Sequence, residues 1–110
     1  KSHGENLTYI EMNNIQSFKE SLVLDRPDPQ LSTILKSLWY DAKGDWDQAH
    51  ALIDQLGDRD SAWVHAYLHR KEGDIWNADY WYARAKKTRP NYSLEEEWSN
   101  VVAHFIEKIH

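Results

Sequence analysis

The sequence repeats itself after 29 residues, and this repeat constrains the fold more than any other feature of the chain. The shift places the dipeptide Gly44-Asp45 on Gly73-Asp74, and it places Ala49 on Ala78. Glycine permits a tight turn between two helices, and a small alanine five residues later lets the helices approach closely. A period of this size is typical of stacked helical hairpins, so we expect two of them in tandem.

Apolar residues recur at helical spacing between capping residues, which predicts helices along most of the chain. Four of them form the two hairpins within residues 29–90, with expected bounds 29–43, 45–57, 60–72 and 75–87. The predicted caps are Asp28, Asp45, either Asp60 or Ser61, and Asp74. The run Ser93-Leu94-Glu95-Glu96 is a capping-box pattern, and it predicts a C-terminal capping helix over residues 93–109.

The beginning of the chain carries a less regular pattern. Apolar residues between Leu7 and Val23 predict one amphipathic helix that begins near Asn6 or Thr8, and residues 1–6 are predicted to form a disordered end. Together these assignments predict a single all-α domain over residues 1–110, built from two tandem hairpins, an N-terminal segment and the capping helix. A domain of this length buries a real core with little to spare.

The second hairpin resembles a tetratricopeptide repeat. The resemblance rests on the spacing of small, aromatic, Gly and Pro positions, which here are Ala66, His69, Gly73, Ala78, Tyr82, Ala85 and Pro90. The first copy follows the pattern less fully, through Tyr40, Gly44, Ala49, Ile53 and Leu56. The copies lie 29 residues apart, where that family has about 34, and His69 replaces the usual tyrosine. The resemblance implies a concave face, lined by the first helix of each hairpin.

A second, narrower resemblance is carried by the string His69-Arg70-Lys71-Glu72-Gly73-Asp74, followed by Asn77-Ala78 and Tyr80-Trp81-Tyr82. This string is similar to one in a family of small uncharacterised bacterial proteins. That family implies no activity for the chain.

Charge balance and cysteine content exclude several classes of function. With 13 basic and 18 acidic residues, the net charge is −5, which argues against a nucleic-acid backbone as partner because such binders carry a basic face. The sequence holds no cysteine, so disulfides and thiolate metal sites are excluded. No apolar run reaches the roughly 20 residues that cross a bilayer. A soluble, cytoplasmic protein is the default expectation, and earlier removal of a leader stays open because the chain begins at Lys1.

The leading hypothesis is a non-catalytic interaction or scaffolding module that binds a protein segment or its own copy. Its predicted binding residues are Trp63, Tyr67, Arg70 and Asp74, and the first three are of the types that anchor interfaces. The first helix adds an apolar surface to the same concave face, with Leu31, Ile34, Leu35 and Leu38. Either the chain's own terminal segments cover this surface or a partner does. Because repeat units need about three neighbours to bury their faces, capping segments or a homodimer are expected to complete the core.

The rival hypothesis is a small-molecule or metal site, with or without catalysis, around His50, His65 and His69. His65 and His69 stand four residues apart and project from one helix face, but the His-Glu-x-x-His pattern of metalloproteases is absent. A metal needs at least one more ligand. His50 on the preceding helix is the best candidate, and Glu72 and Asp74 are further ones. The competing interpretation is a hydrogen-bonded network of core histidines, since buried imidazoles need partners.

No other constellation in the sequence indicates catalysis. The serines lack the glycine context of a nucleophile elbow, and no Gly-rich loop is present to cradle a phosphate. The acidic pair Asp45 and Asp47 and the run from Glu95 to Glu97 are interpreted as helix-start residues that favour the helix dipole. The chain is therefore expected to be non-enzymatic and without a cofactor, with zinc at the histidines as the alternative.

Overall fold

The computed structural model describes residues 14–108, and this part of the chain is helical without strands. Helix α1 (Ile15–Glu20) runs into a 3-10 turn (Ser21–Val23). The remaining helices are α2 (Thr33–Ala42), α3 (Trp46–Ile53), α4 (Arg59–Glu72), α5 (Ile75–Arg84) and α6 (Leu94–Lys108). The predicted all-α class is confirmed. Among the described residues, no helix combines the length and apolarity that crossing a bilayer requires.

The two Gly-Asp turns share one geometry. Gly44 has φ +86° and Gly73 has φ +92°, a left-handed conformation that costs other residues about 1–2 kcal/mol. In both turns the aspartate amide donates to the carbonyl five residues earlier, at 2.9 Å in the first and 3.0 Å in the second. The side chains of Asp45 and Asp74 each accept a hydrogen bond from the amide three residues later. Each aspartate therefore caps the helix that follows it, as the repeat predicts.

Two predicted N-caps are wrong. Asp28 does not begin α2, because Ser32 accepts the hydrogen bond from the Leu35 amide at 3.2 Å and the helix starts only at Thr33. Neither Asp60 nor Ser61 caps α4. The carboxylate of Asp58 performs this role by accepting the Ser61 amide at 3.0 Å. In both cases a nearby oxygen of equal capping strength competes with the predicted one.

Other predicted helix ends are displaced. Helix α3 ends at Ile53 and does not reach residue 57, while α5 ends at Arg84 and does not reach residue 87. Lys86, just after α5, has a positive φ of 62°, which interrupts the helix. The single amphipathic helix predicted up to Val23 is shorter, because α1 ends at Glu20 and continues as a 3-10 turn. Asn14 has extended backbone and caps α1 by accepting the Ser17 amide at 2.8 Å, so the predicted helix is not continuous across this residue. The predicted start near Asn6 or Thr8, and the predicted disordered end over residues 1–6, lie outside the described residues.

The helices pack in two neighbouring pairs under a third layer. Helix α2 packs chiefly on α3, and α4 packs chiefly on α5. Ala66 and Ala78 are fully buried beside Tyr82, so small side chains lie where α4 and α5 meet. Helix α6 crosses both α2 and α4, and α1 lies against α6. The indole of Trp98 packs on Phe18 and donates to the Leu38 carbonyl at 3.1 Å.

The chain itself covers the concave face that the sequence predicts on α2 and α4. The side chains shared between these helices and α6 form one core, with Leu35, Leu38, Val64, Tyr67, Val101, Val102 and Phe105 among its buried members. Of the two outcomes left open by the sequence, cover by the terminal segments is therefore the one observed.

Candidate metal-binding site

Three histidines from two helices meet at one point, and we call His50, His65 and His69 the histidine cluster. His65 and His69 lie one turn apart on α4, and their ring centroids are 4.8 Å apart. His50 projects from α3 toward both, with centroid distances of 4.8 Å and 5.2 Å. One ring nitrogen of each histidine lies within 4.8 Å of the other two. The packing of α3 on α4 thus brings together the three residues that the sequence singled out.

One pair of ring nitrogens is spaced like two ligands of a metal ion. The Nε2 atoms of His50 and His65 are 3.1 Å apart. Two ligands at about 2.0 Å from a tetrahedral ion are separated by about 3.3 Å. The observed distance also fits a hydrogen bond between two neutral imidazoles, of which one donates. This distance alone is compatible with both interpretations.

The histidine cluster does not close into a satisfied hydrogen-bond network. His65 is only 3% exposed, and its Nδ1 has no hydrogen-bond partner among the described residues. Burial, followed by the nearby His69 and His50, lowers the pKa of His65 to about 4. The ring is therefore neutral near pH 7, and neutral imidazole is the form that binds a metal.

Two tryptophans flank the histidine cluster. Trp46 on α3 stacks on His50 with 4.8 Å between ring centroids, and Trp81 on α5 stacks on His65 at 4.0 Å. The Trp46 indole also donates to the Leu68 carbonyl at 2.8 Å, which fixes its orientation. Such walls restrict the histidine rotamers before any ligand binds, and preorganisation lowers the entropy cost of binding. Sequence analysis missed both tryptophans, although the four-residue spacing of Trp46 and His50 is a usable signal.

Two carboxylates stand at the edge of the histidine cluster. Oε2 of Glu72 is 2.7 Å from Nδ1 of His69, which fixes the ring and makes its other nitrogen a better ligand. Oδ1 of Asp54 is 3.7 Å from Nε2 of His50. Asp74, a further predicted candidate, lies within reach of His69 and Glu72, but its carboxylate caps α5. The structure adds Asp54 to the candidates, and the spacing of four residues from His50 is its signal in the sequence.

Three of the four residues predicted to bind a partner contact the chain's own helices. Tyr67 is 2% exposed and donates to Asp41 on α2 at 2.9 Å. Arg70 pairs with Glu97 on α6 at 2.8 Å, and the Trp63 indole donates to the same carboxylate at 3.3 Å. These side chains hold α4 against its neighbours within the chain.

Glu97 is the centre of a buried network that sequence analysis missed, and we call Trp63, Arg70, Tyr82 and Glu97 the Glu97 cluster. Glu97 is 1% exposed. Both of its oxygens lie 2.7 Å from the Tyr82 hydroxyl, in addition to the bonds from Arg70 and Trp63. Glu97 does lie in the first turn of α6, as predicted, but the sequence interpretation overlooked that it shares the apolar face of this helix with Val101.

Comparisons with protein families, with curated proteins and with solved structures give no match for this chain. A function is therefore supported by the geometry of the molecule alone.

Proposed function

We propose that this protein binds a divalent transition-metal ion, with zinc as the expected ion, through His50, His65 and His69. The observation that carries the proposal is the convergence of one ring nitrogen from each histidine within 4.8 Å of the other two. Imidazole is a common ligand of zinc, copper and nickel, and this chain offers no thiolate to select a softer ion. Three protein ligands are the minimum of known zinc sites.

The energetics of burial favour this interpretation over a purely structural network. Buried polar groups are costly unless they are satisfied, and networks kept for stability are usually complete. His65 lies in the core with an unpaired Nδ1, and its lowered pKa reflects the cost of charging the ring there. Coordination of an ion by the remaining ring nitrogens offsets that cost, because metal binding to a folded site adds to the stability of the fold.

A bound ion would also connect the two helix pairs. His50 belongs to α3 of the first pair, while His65 and His69 belong to α4 of the second. Metal binding would therefore stabilise the contact between the pairs as well as each helix. A non-catalytic, structural or regulatory metal site fits this position and the absence of a catalytic motif from the sequence.

The experiment is a calorimetric titration of metal-free protein with zinc, together with thermal unfolding at several zinc concentrations. We expect one zinc ion per chain and a higher Tm with zinc, since an ion at about 100 times its Kd adds about 2.7 kcal/mol to stability. His65→Ala and His69→Ala should each weaken zinc binding at least about 100-fold, because each removes a side chain that binds the ion directly. His104→Ala is the matched control, since His104 is an exposed histidine of α6.

Two outcomes would contradict the proposal. Wild-type protein that binds no zinc, copper or nickel would make the histidine cluster a structural network. Binding that His104→Ala weakens as much as His65→Ala does would assign the metal to scattered surface histidines.

A second candidate function, association with a second copy of the chain, is favoured by an exposed aromatic surface on α5. Trp76 is 81% exposed and Tyr80 is 49% exposed, one helical turn apart. Ile75 adds a further partly exposed apolar side chain. Contiguous apolar surface of this kind is characteristic of interaction sites. The surface proposed for association is therefore the exposed one on α5, because the chain itself covers the concave face.

Sedimentation equilibrium over a wide protein concentration range tests this second candidate. We expect a reversible dimer in the wild type and a monomer in the double variant Trp76→Ala, Tyr80→Ala. Both residues are exposed, so the variant should keep its Tm. A wild-type protein that stays monomeric at the highest concentrations would remove the candidate.

A further inference from the structure

We infer that Asp54 supplies the fourth ligand of the metal, so that four protein groups close the coordination shell. This inference rests on the proposed function and names how the site is completed. It separates a structural or regulatory metal site, which is closed, from a hydrolytic one, which keeps a position for water.

The position of Asp54 on its helix places its carboxylate next to the ring of His50. The two residues are four apart at the end of α3, so they share one helix face. Asp54 keeps helical backbone angles, φ −58° and ψ −40°, although it is already the C-cap residue. Its Oδ1 lies 3.7 Å from Nε2 of His50.

Two distances at Nε2 of His50 lie near the ligand separations of a tetrahedral shell. Its Nε2 has His65 Nε2 at 3.1 Å and Asp54 Oδ1 at 3.7 Å. Both values lie near the separation of about 3.3 Å between ligands of a tetrahedral zinc ion. Asp54 lies outside the group of ligand atoms that are all within 4.8 Å of one another, so its side chain must rotate toward His65 and His69 to complete the shell. At 44% exposed, the side chain has room to do so.

The two oxygens of Asp54 already face different ways. The side-chain amide of Gln55 donates to Oδ2 at 3.3 Å, and Oδ1 is left on the side of His50. Glu72, by contrast, is bonded to Nδ1 of His69 at 2.7 Å. Glu72 therefore acts as a positioning residue, and Asp54 is the carboxylate free to reach the ion.

Charge balance also favours Asp54 as the fourth ligand. Three neutral imidazoles would leave the full double charge of the ion next to a buried ring, which is costly in a low-dielectric site. One carboxylate in the shell and Glu72 at its edge together neutralise a divalent ion.

Cobalt(II) is the probe that tests the inference, because its visible absorption reports coordination number and ligand exchange. The wild type should bind one cobalt ion with a four-coordinate spectrum that added azide leaves unchanged. Asp54→Ala should bind cobalt at least about tenfold more weakly, and azide should change its spectrum by entering the vacated position. Asp54→Asn should be intermediate in affinity, since an amide oxygen binds without the charge.

Matched controls distinguish effects on folding and on net charge from effects on metal coordination. Glu107→Ala removes an exposed carboxylate from α6 and should leave the cobalt spectrum and affinity of the wild type unchanged. Circular dichroism of metal-free Asp54→Ala should match the wild type, because Asp54 is an exposed residue at a helix end.

The outcomes distinguish this inference from the function on which it rests. A wild type that binds neither cobalt nor zinc overturns the proposed function, and the assignment of Asp54 with it. Suppose instead that the wild type binds cobalt, that azide changes its spectrum, and that Asp54→Ala binds cobalt equally well. This result overturns only the assignment of Asp54 as fourth ligand, and it makes water the occupant of that position.

Discussion

Helix α4 contributes to two polar clusters on its opposite faces, and the clusters differ in how completely their buried polar atoms are hydrogen-bonded. Residues advance by about 100° along a helix, so the face of Trp63, Tyr67 and Arg70 lies about half a turn from the face of His65 and His69. In the Glu97 cluster the buried carboxylate accepts bonds from three different side chains. In the histidine cluster, a buried ring nitrogen stays unpaired within the described chain.

The difference shows which cluster is completely hydrogen-bonded within the chain and which one is not. A fully satisfied buried network rigidifies one arrangement of the core, because every alternative packing leaves a charge unpaired. The Glu97 cluster joins α4, α5 and α6 in this way. The histidine cluster is incomplete, partly exposed through His50, and flanked by carboxylates, which are features of a binding site.

The largest expected effect is that of Glu97→Ala on stability. Removing the carboxylate leaves Arg70 and Tyr82 without their buried partner, and breaking such a pair costs about 3–5 kcal/mol. Urea unfolding should show this loss, while zinc affinity of the folded variant stays that of the wild type. Glu107→Ala, an exposed change on the same helix, should cost less than about 0.5 kcal/mol. If Glu97→Ala does not fold, Glu97→Gln should show a smaller loss of the same kind. Equal stability of the two alanine variants would remove the distinction between the clusters.

A second expected effect is a loss of stability in acid that comes from His65. The unfolded ring protonates near its ordinary pKa of 6.5, while the folded ring has a pKa of about 4. Between these values the unfolded state binds more protons, so stability is full above pH 6.5 and falls as the pH drops toward 4.

The measurement is urea unfolding of metal-free protein at pH 7.5 and pH 4.5, for the wild type and for His65→Phe. The wild type should lose about 2 kcal/mol more than the variant, which is less than the full shift implies because pH 4.5 still lies above the folded pKa of about 4. An identical loss in both proteins would mean that His65 does not carry this pH dependence.

A third, smaller effect is expected of a change at Glu72, and it should appear in the affinity for zinc alone. Glu72→Gln removes the charge that orients His69, and loss of such an outer partner weakens metal binding about 10–100-fold. The metal-free Tm should stay unchanged, because Glu72 is exposed. Glu107→Gln, measured by the same zinc titration, is the charge-matched control. A lower metal-free Tm with unchanged zinc affinity would make the bond between Glu72 and His69 structural.

The last prediction is a small effect of His65→Phe on stability at neutral pH. An apolar ring of similar size removes a buried polar group without leaving a charge behind, so the change should stay within about 1 kcal/mol of the wild type. Zinc binding should nevertheless be lost. A destabilisation as large as that of Glu97→Ala would show that the two clusters serve the fold alike.

The two Gly-Asp turns and the helix class could be predicted because both depend on local chemistry. A glycine at positive φ and an aspartate that caps the next helix act within a few residues. Helix ends were less predictable. Ser32 and Asp58 lie near other capping residues of comparable strength, and the choice between them depends on the packing of the whole helix.

The candidate site was predictable in part for the same reason. The spacing of His65 and His69 on one helix face is fixed by helix geometry, and the repeat placed His50 on the neighbouring helix. The stacking of Trp81 on His65 depends on how α4 and α5 pack, so the sequence did not point to it. The contacts of Trp46 and Asp54 with His50 are four-residue contacts along α3, and their spacing was a signal that the sequence did offer.

By itself, the sequence determined that the chain is helical, where its two sharp turns lie, and which three histidines could act together. The tertiary structure decided that α6 covers the predicted concave face, that Glu97 is buried among its donors, and that the histidines converge within reach of one ion. The physical reason is the range of the interactions. Turn and helix signals act between neighbours in the chain, whereas burial and convergence depend on contacts such as that of Arg70 with Glu97, which are 27 residues apart.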